Sequence, residues 1–334
     1  MNNQINYIAI IKEAWQITWK NKYLWWFGFL VALSGGVGSN FSSSNWKGND
    51  GWEEGAKQKI SEWAALYWEW IILGVILVGL LMLVFFILSV WGRSALVIAL
   101  GKITTQKLTP EPMSFKVGMK EGKQFFWPIL GLNLFLFGIG IATFIILGTP
   151  IAILFYLKAY WVGAFLAFGG LTIFILLIIL LAYLQKFGVI YLILGKVSFW
   201  AALENAYLLF RRNLLPSIIM GAIFIPLGFL AGLAALAFVL TILLIFLIPG
   251  LLAYFLIGKW TIILLSILGI LILLAGILTI NSIYAVLAQT IWILFFRQIA
   301  LPKEEEKILE TTKEIKDPEI VPVVDGLKTA KIDR

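Results

Sequence analysis

Long stretches without charged residues alternate with polar segments along the chain. The charge-free intervals are 23–46, 70–92, 124–157, 159–185, 213–258 and 260–296. A charge at the centre of a bilayer costs about 2.5–3.5 kcal/mol even on a lenient scale. A helix needs roughly 20 apolar residues to cross the hydrocarbon, so each interval is long enough for at least one crossing. We therefore predict an all-α integral membrane protein with six transmembrane helices, near 23–37, 71–90, 126–147, 161–184, 214–238 and 261–284.

Two features leave the number of spans open. The first apolar stretch is short and ends in the small residues of 34–39, a pattern that is also typical of a signal peptide. Its amino-terminal flank is long and contains Trp15 and Trp19, which favours a retained span. The interval 213–258 is long enough for two short crossings instead of one.

Charge distribution predicts the orientation. Lysine and arginine are concentrated in the amino-terminal arm and in the connections that follow the second and fourth spans, whereas the intervening turns are poor in both. Basic loops stay in the cytoplasm. Six spans satisfy this rule without a violation, and the chain is predicted to be a multi-pass protein of the cell membrane with both termini in the cytoplasm.

Spacing along the chain predicts a hairpin used three times. A proline is followed after 11 residues by a tryptophan twice, at Pro150 and Trp161 and at Pro249 and Trp260. A Gly-Lys-aliphatic tripeptide, Gly101–Ile103, recurs 94 residues later as Gly195–Val197. Similar segments also precede Asn21 and Asn213. The predicted repeat units are about 1–107, 108–197 and 198–301, with an outer loop at 39–69. Chance agreement among apolar residues is the alternative.

A polar segment precedes the ascending span of each unit, and each is predicted to be a cytoplasmic amphipathic helix at the membrane surface. In the second unit, Gly118 and Gly122 form a small face opposite a basic one. Anionic lipid headgroups are the expected partners, and the alternative is charge-based anchoring with no specific lipid. The candidate headgroup contacts are Lys20, Lys22, Lys116, Lys120, Lys123, Arg211 and Arg212.

Composition supports the membrane assignment and narrows the chemistry. Hydrophobic residues make up 61% of the 334 residues, charged residues 13%, and the mean hydropathy is +0.96, which excludes an ordinary soluble domain. The chain has neither cysteine nor histidine. Thiolate nucleophiles, imidazole acid–base catalysis and Cys/His zinc sites are therefore excluded. We predict no catalytic residue, no metal ligand and no cofactor.

Polar residues within the predicted spans are few and uncharged. Arg93 and Lys186 fall in connections, so no ionisable side chain is expected well inside a span. Asn133 and Asn281 are the candidate interhelical polar contacts, because side-chain amides hydrogen-bond between membrane helices. A direct contact with a substrate is the alternative for both. The tail at 302–334 is polar and contains three prolines, and it is predicted to be a disordered cytoplasmic segment.

One segment carries a resemblance to a known family. Residues 198–213 read Ser-Phe-Trp-Ala-Ala-Leu-Glu-Asn-Ala-Tyr-Leu-Leu-Phe-Arg-Arg-Asn and enter a long apolar span that is expected to break at Pro249. This arrangement resembles the multi-span membrane domain attached to some bacterial glycerophosphodiester phosphodiesterases, and its free-standing relatives, over about residues 5–300. The phosphodiesterase barrel needs roughly 200 or more residues, and no polar segment approaches that length. The resemblance implies the membrane part without the catalytic part, so no catalytic residue is carried over.

These features predict a bacterial-type membrane protein that is not an enzyme. A non-catalytic scaffold or accessory in an envelope or lipid-linked process is the first expectation, because the basic segments gather on one side of the membrane. A protein partner at the cytoplasmic face is expected with it, and nucleic acid is not. A permease for a lipid or an apolar small solute is the alternative, favoured by the repeats and the prolines within the spans.

Overall fold

The computed structural model describes residues 5–38, 62–63, 65–105, 115–256 and 259–300. Over these ranges the chain is helical and contains no strand. The helices are α1 (Tyr7–Lys20), α2 (Leu24–Gly38), α3 (Trp68–Thr105), α4 (Phe115–Lys123), α5 (Phe126–Tyr156), α6 (Tyr160–Leu194), α7 (Phe199–Arg212), α8 (Leu214–Leu256) and α9 (Lys259–Ala300). The predicted tail at 302–334 and most of the predicted outer loop at 39–69 lie outside the described residues.

Five of these helices, α3, α5, α6, α8 and α9, are long and apolar enough to cross a membrane, and the chain is a multi-pass membrane protein. The shortest, α5, has 31 residues and the longest, α8, has 43. They measure about 46 to 65 Å at 1.5 Å per residue, which exceeds the ~30 Å hydrocarbon thickness. The remaining predicted span corresponds to α2, whose 15 residues cover only about 22 Å. A sixth crossing therefore stays a prediction.

The longer helices form three antiparallel pairs, α2 with α3, α5 with α6, and α8 with α9. In each pair, the contacts move toward the start of the second helix as they move toward the end of the first. Such contacts join Val31 to Ser89, Asn133 to Gln185, Phe144 to Phe174, Phe224 to Trp292, and Phe238 to Gly276. The three pairs fall within the three predicted units. That the units are copies of one repeat stays a prediction.

The pairs assemble around their second helices. Helices α3, α6 and α9 contact one another, and each also packs against a short helix from the next unit. Thus α4 lies on α3, α7 lies on α6, and α1 lies on α9. The first and last units therefore meet, and the arrangement closes into a ring of three.

The buried core lies at one end of this ring, where α3, α6 and α9 end and the short helices dock. An aromatic cluster joins four helices there: the Tyr183 ring stacks on Phe210 with centroids 4.8 Å apart, and Phe224 stacks on Trp292 at 5.2 Å. The Tyr183 hydroxyl donates a hydrogen bond of 2.6 Å to the Ser217 carbonyl. Apolar side chains toward the other end, such as those of α3 near Leu80, are exposed, as lipid-facing side chains are.

Two asparagines that stand at equivalent places in the predicted units have the same structural role. Asn21 ends α1 and Asn213 ends α7. The Asn21 side-chain amide donates to the Ile17 carbonyl at 3.0 Å, and that of Asn213 donates to the Leu209 carbonyl at 3.1 Å. In both places the same carbonyl also accepts the backbone N–H of the asparagine, so the side chain adds a second hydrogen bond at the helix end. The chain then turns directly into the following helix.

The expected break at Pro249 is not observed, and the helix that contains Pro150 is also unbroken. Helix α5 continues past Pro150 to Tyr156, and α8 continues past Pro249 to Leu256. Proline removes one backbone hydrogen bond, but membrane helices accommodate this loss through neighbouring groups and local adjustments. Both prolines lie within two turns of a helix end, so only a short remainder has to stay helical.

Helices α2 and α9 approach each other closely at Gly28. A Cβ atom at Gly28 would meet the Ser282 backbone carbonyl and lie 2.7 Å from Val286 Cγ2. We expect Gly28→Ala to lower stability by about 1–3 kcal/mol, the usual cost of overpacking, because a backbone atom cannot move aside. The apparent melting temperature of the purified protein in detergent measures this effect.

Gly131→Ala is the matched control, since a Cβ there meets nothing within 4 Å. It should leave the melting temperature unchanged or raise it. An equal loss of stability in both variants would contradict the close α2–α9 contact.

Candidate functional site

A groove with a volume of about 880 Å³ lies between α3, α5 and α6. From α3, the lining residues are Phe86, Ser89, Val90 and Arg93, which follow the spacing of one helical face. The facing sides of α5 and α6 contribute mostly apolar residues, from Leu130 to Phe144 and from Phe174 to Gln185. The groove is therefore an apolar channel with one polar end.

The polar end is formed by one side chain from each of the three helices. Arg93 comes from α3, Asn133 from α5 and Gln185 from α6. Gln185 Nε2 donates to Asn133 Oδ1 at 2.9 Å and joins α5 to α6. Both amides are half-buried. This end lies next to the buried core and the short helices.

The residues around Arg93 fix the rotation of α3. Trp91 Nε1 donates to the Met119 carbonyl at 2.7 Å, and Ser94 Oγ donates to the Gly122 carbonyl at 2.9 Å, so both bind α4. A Cβ at Gly92 would lie 3.3 Å from Leu30 Cδ1, and that side of α3 therefore packs on α2. Arg93 lies on a side of α3 that faces neither α4 nor α2, and it lines the groove.

A second cation stands close to the first. Lys186, next to Gln185 on α6, lies near enough to Arg93 for their charges to repel, although it does not line the groove. Neither forms an ion pair or a hydrogen bond within the part of the chain that the structure describes. The carboxylate of Glu121 on α4 is paired with Lys102 Nζ at 2.8 Å. The polar end of the groove is therefore strongly positive.

The seven predicted headgroup contacts lie elsewhere. Lys20 is in α1, Lys22 follows it, and the others are in α4 and α7: Lys116, Lys120, Lys123, Arg211 and Arg212. All seven are exposed, and none lines the groove. They lie on or next to the short helices, at the same end of the bundle as Arg93.

The two predicted amide contacts differ from each other. Asn133 makes its hydrogen bond to Gln185 between α5 and α6. Asn281 is half-buried on α9 and has no side-chain hydrogen bond to any described residue. Its neighbour Ser282 makes the contact instead, donating from Oγ to the Trp25 carbonyl of α2.

The prediction that Arg93 and Lys186 lie in connections is wrong. The structure places both inside helices, because α3 continues to Thr105 and α6 to Leu194. A charge-free interval ends by definition at the first charged residue, whereas the helix continues past that residue. The signal that would have found them is the apolar run that resumes directly after each one, at 94–101 and 187–194.

No family model matches the chain, and no curated protein or solved structure is found to be similar to it. The site must therefore be interpreted from its own geometry. Within the described ranges no group of three acidic residues is placed to hold a metal ion. What the groove offers is an apolar surface, an amide pair and a cation.

The docking of α4 can be tested at Gly122. A Cβ there would lie 2.9 Å from Ser94 Oγ and 3.0 Å from the Ala95 backbone nitrogen. Alanine is the better helix former, yet we expect Gly122→Ala to loosen α4 because the backbone of α3 cannot yield. Limited trypsin digestion should then cut faster at Lys116, Lys120 and Lys123.

Val117→Ala serves as the control, because Val117 is exposed on the same helix and alanine also raises its helix propensity. Digestion of this variant should match the wild type. Unchanged cleavage of Gly122→Ala, or equally fast cleavage of both variants, would contradict the close docking of α4 on α3.

Proposed function

We propose that the chain is a non-catalytic accessory protein of an envelope or lipid-linked process, working from a basic cytoplasmic face. The observation that carries this proposal is the exposure of seven basic side chains at one end of the bundle, on or beside three short helices that dock on the long ones. Cationic side chains at that level are attracted to anionic lipid headgroups by about 1 kcal/mol each. The resemblance to the membrane domain associated with glycerophosphodiester phosphodiesterases agrees with such a role.

The proposed arrangement has six spans in three repeated hairpins, each preceded by a surface helix, with both termini in the cytoplasm. The three antiparallel pairs and the ring of short helices support it. In this arrangement α2 belongs to the first span in chain order.

A permease for a lipid or apolar solute is the second candidate, and the groove favours it. Lining residues Leu134, Phe137 and Phe144 remain 68%, 65% and 63% exposed, so the groove is open on its side toward the membrane. Lipid exchange between leaflets, measured with a fluorescent phospholipid in proteoliposomes, tests this function. No exchange above protein-free vesicles would exclude lipid transport.

The proposed orientation can be tested with single cysteines, because the chain has none of its own. Lys158 and Lys196 lie in turns at opposite ends of α6 and both have positive φ, 59° and 48°. In intact cells, an impermeant maleimide should label Lys158→Cys and leave Lys196→Cys unlabelled until the cells are lysed. Labelling of Lys196→Cys from outside would overturn the proposed topology.

The basic end of α7 provides a test of the cytoplasmic anchor. Changing Arg211 and Arg212 together to glutamate replaces two attractions by two repulsions, a change of about 4 kcal/mol. We expect misinsertion or poor accumulation, measured by the amount of protein in isolated membranes. The paired lysine variant should accumulate normally, because orientation depends on charge and not on guanidinium geometry.

Normal accumulation of the glutamate pair would contradict the anchoring role of this connection. Normal insertion of the lysine pair with loss of function would instead indicate specific recognition of phosphate.

A further inference from the structure

We propose that the groove between α3, α5 and α6 binds one anionic membrane lipid, with its phosphate beside Arg93 and an acyl chain along the apolar walls. This site is separate from the exposed basic residues of the short helices. It does not depend on whether the protein is an accessory factor or a permease.

The charge at the polar end requires an anion. Arg93 lines the groove without a carboxylate or hydrogen-bond partner among the described residues, and the charge of Lys186 repels it. An unpaired cation in apolar surroundings is costly, and two cations close together are worse. A phosphate beside Arg93 would satisfy both. The guanidinium can bind it through two parallel hydrogen bonds.

The length and volume of the groove fit a lipid tail. On α5 the lining runs from Leu130 to Phe144, about 21 Å along the helix. Half of the ~30 Å hydrocarbon of a bilayer is about 15 Å, so the groove accommodates the depth of one leaflet. Its 880 Å³ lies within the range of about 300–1,000 Å³ that is usual for small-molecule sites. Because Leu134 and Phe137 are exposed on the membrane side of the groove, a lipid can enter it directly from the surrounding bilayer.

The amide pair lies where the linkage between head and tail would lie. Only one of the possible hydrogen bonds between Asn133 and Gln185 is made, from Gln185 Nε2 to Asn133 Oδ1. The Asn133 amide nitrogen remains as a donor, without a partner among the described residues. An ester carbonyl is an acceptor, and in a phospholipid it is separated from the phosphate by the glycerol. The order cation, amide and apolar wall therefore matches that of an anionic phospholipid.

Arg93→Gln tests the headgroup contact. The full-length protein is incorporated into nanodiscs of equal dioleoyl phosphatidylglycerol and phosphatidylcholine, and the retained lipids are counted by native mass spectrometry. We expect the wild type to retain one phosphatidylglycerol in preference to phosphatidylcholine. Arg93→Gln should bind it roughly tenfold more weakly or worse, since a hydrogen bond to a charged group contributes about 1.5–3 kcal/mol. Lys186→Gln should cause a smaller loss.

The control is Arg211→Gln combined with Arg212→Gln, which removes two exposed charges outside the groove. This variant should retain the lipid like the wild type. Poor accumulation of this control variant would bear on the proposed anchoring by Arg211 and Arg212. It would not change the interpretation of the Arg93→Gln result. Equal loss of lipid from the control and from Arg93→Gln would overturn the groove site, since surface charge would then explain the binding.

Gly140→Leu tests the tail contact and does not remove any charge. Gly140 lines the groove, and a Cβ there meets only Leu181 Cδ1 at 3.9 Å, so a larger side chain extends into open space. Gly138→Leu is the matched control, because Gly138 is exposed two residues away and does not line the groove. Gly140→Leu should lose the retained lipid at unchanged melting temperature, and Gly138→Leu should keep it.

Four further results would overturn the proposal. The first is retention of phosphatidylcholine as strongly as phosphatidylglycerol by the wild type. The second is lipid loss in neither Arg93→Gln nor Gly140→Leu. The third is displacement of the retained lipid by millimolar inorganic phosphate, which would mean that the site recognises a free anion and that the apolar walls contribute nothing. A mass spectrum showing a second copy of the chain in place of lipid would overturn it as well.

Discussion

Close packing of α3, α6 and α9 is the interaction on which the rest of the structure depends. Lipid tails are as apolar as leucine, so helices in a membrane gain little from hydrophobic burial and associate through packing and hydrogen bonds. The three helices contact one another near the ends that carry Leu96, Phe187 and Phe295, all fully buried. Each of the short helices then packs on one of these three ends, and the ring closes because α1 reaches α9.

This packing also explains why a cation can lie in the groove. Two of the residues that surround Arg93 on α3, Trp91 and Ser94, are bonded to α4, and Gly92 packs on α2. Rotating α3 to take Arg93 out of the groove would break these contacts together. Arg297 of α9 reinforces this position, because it donates to the Thr104 carbonyl near the end of α3. The helix is held by contacts on three sides, and the fourth side carries the charge.

Sequence reasoning predicted the helical membrane class and the approximate place of each long helix, because charge costs so much in a bilayer that its absence marks the spans. It also singled out Asn21 and Asn213, which end α1 and α7 in the same way. It could not predict the ends of the long helices, since a helix does not stop at the first cation. Arg93 and Lys186 were misplaced for that reason, and the groove could not be found because it depends on which helices face each other.

The groove lies where the ring departs from regularity. In the first unit, α2 packs so closely on α9 that Gly28 leaves no room for a side chain against Ser282. The corresponding neighbours in the next unit are α5 and α3, and there the structure has the groove instead. Phe86 of α3 and Phe137 of α5 line this groove. The helix pairs are therefore closely packed at one junction of the ring and leave a groove at another. Every helix stays continuous at both junctions. The residues that would distinguish such a junction from a lipid-facing surface are the polar ones, Arg93, Asn133 and Gln185, which face one another across three helices.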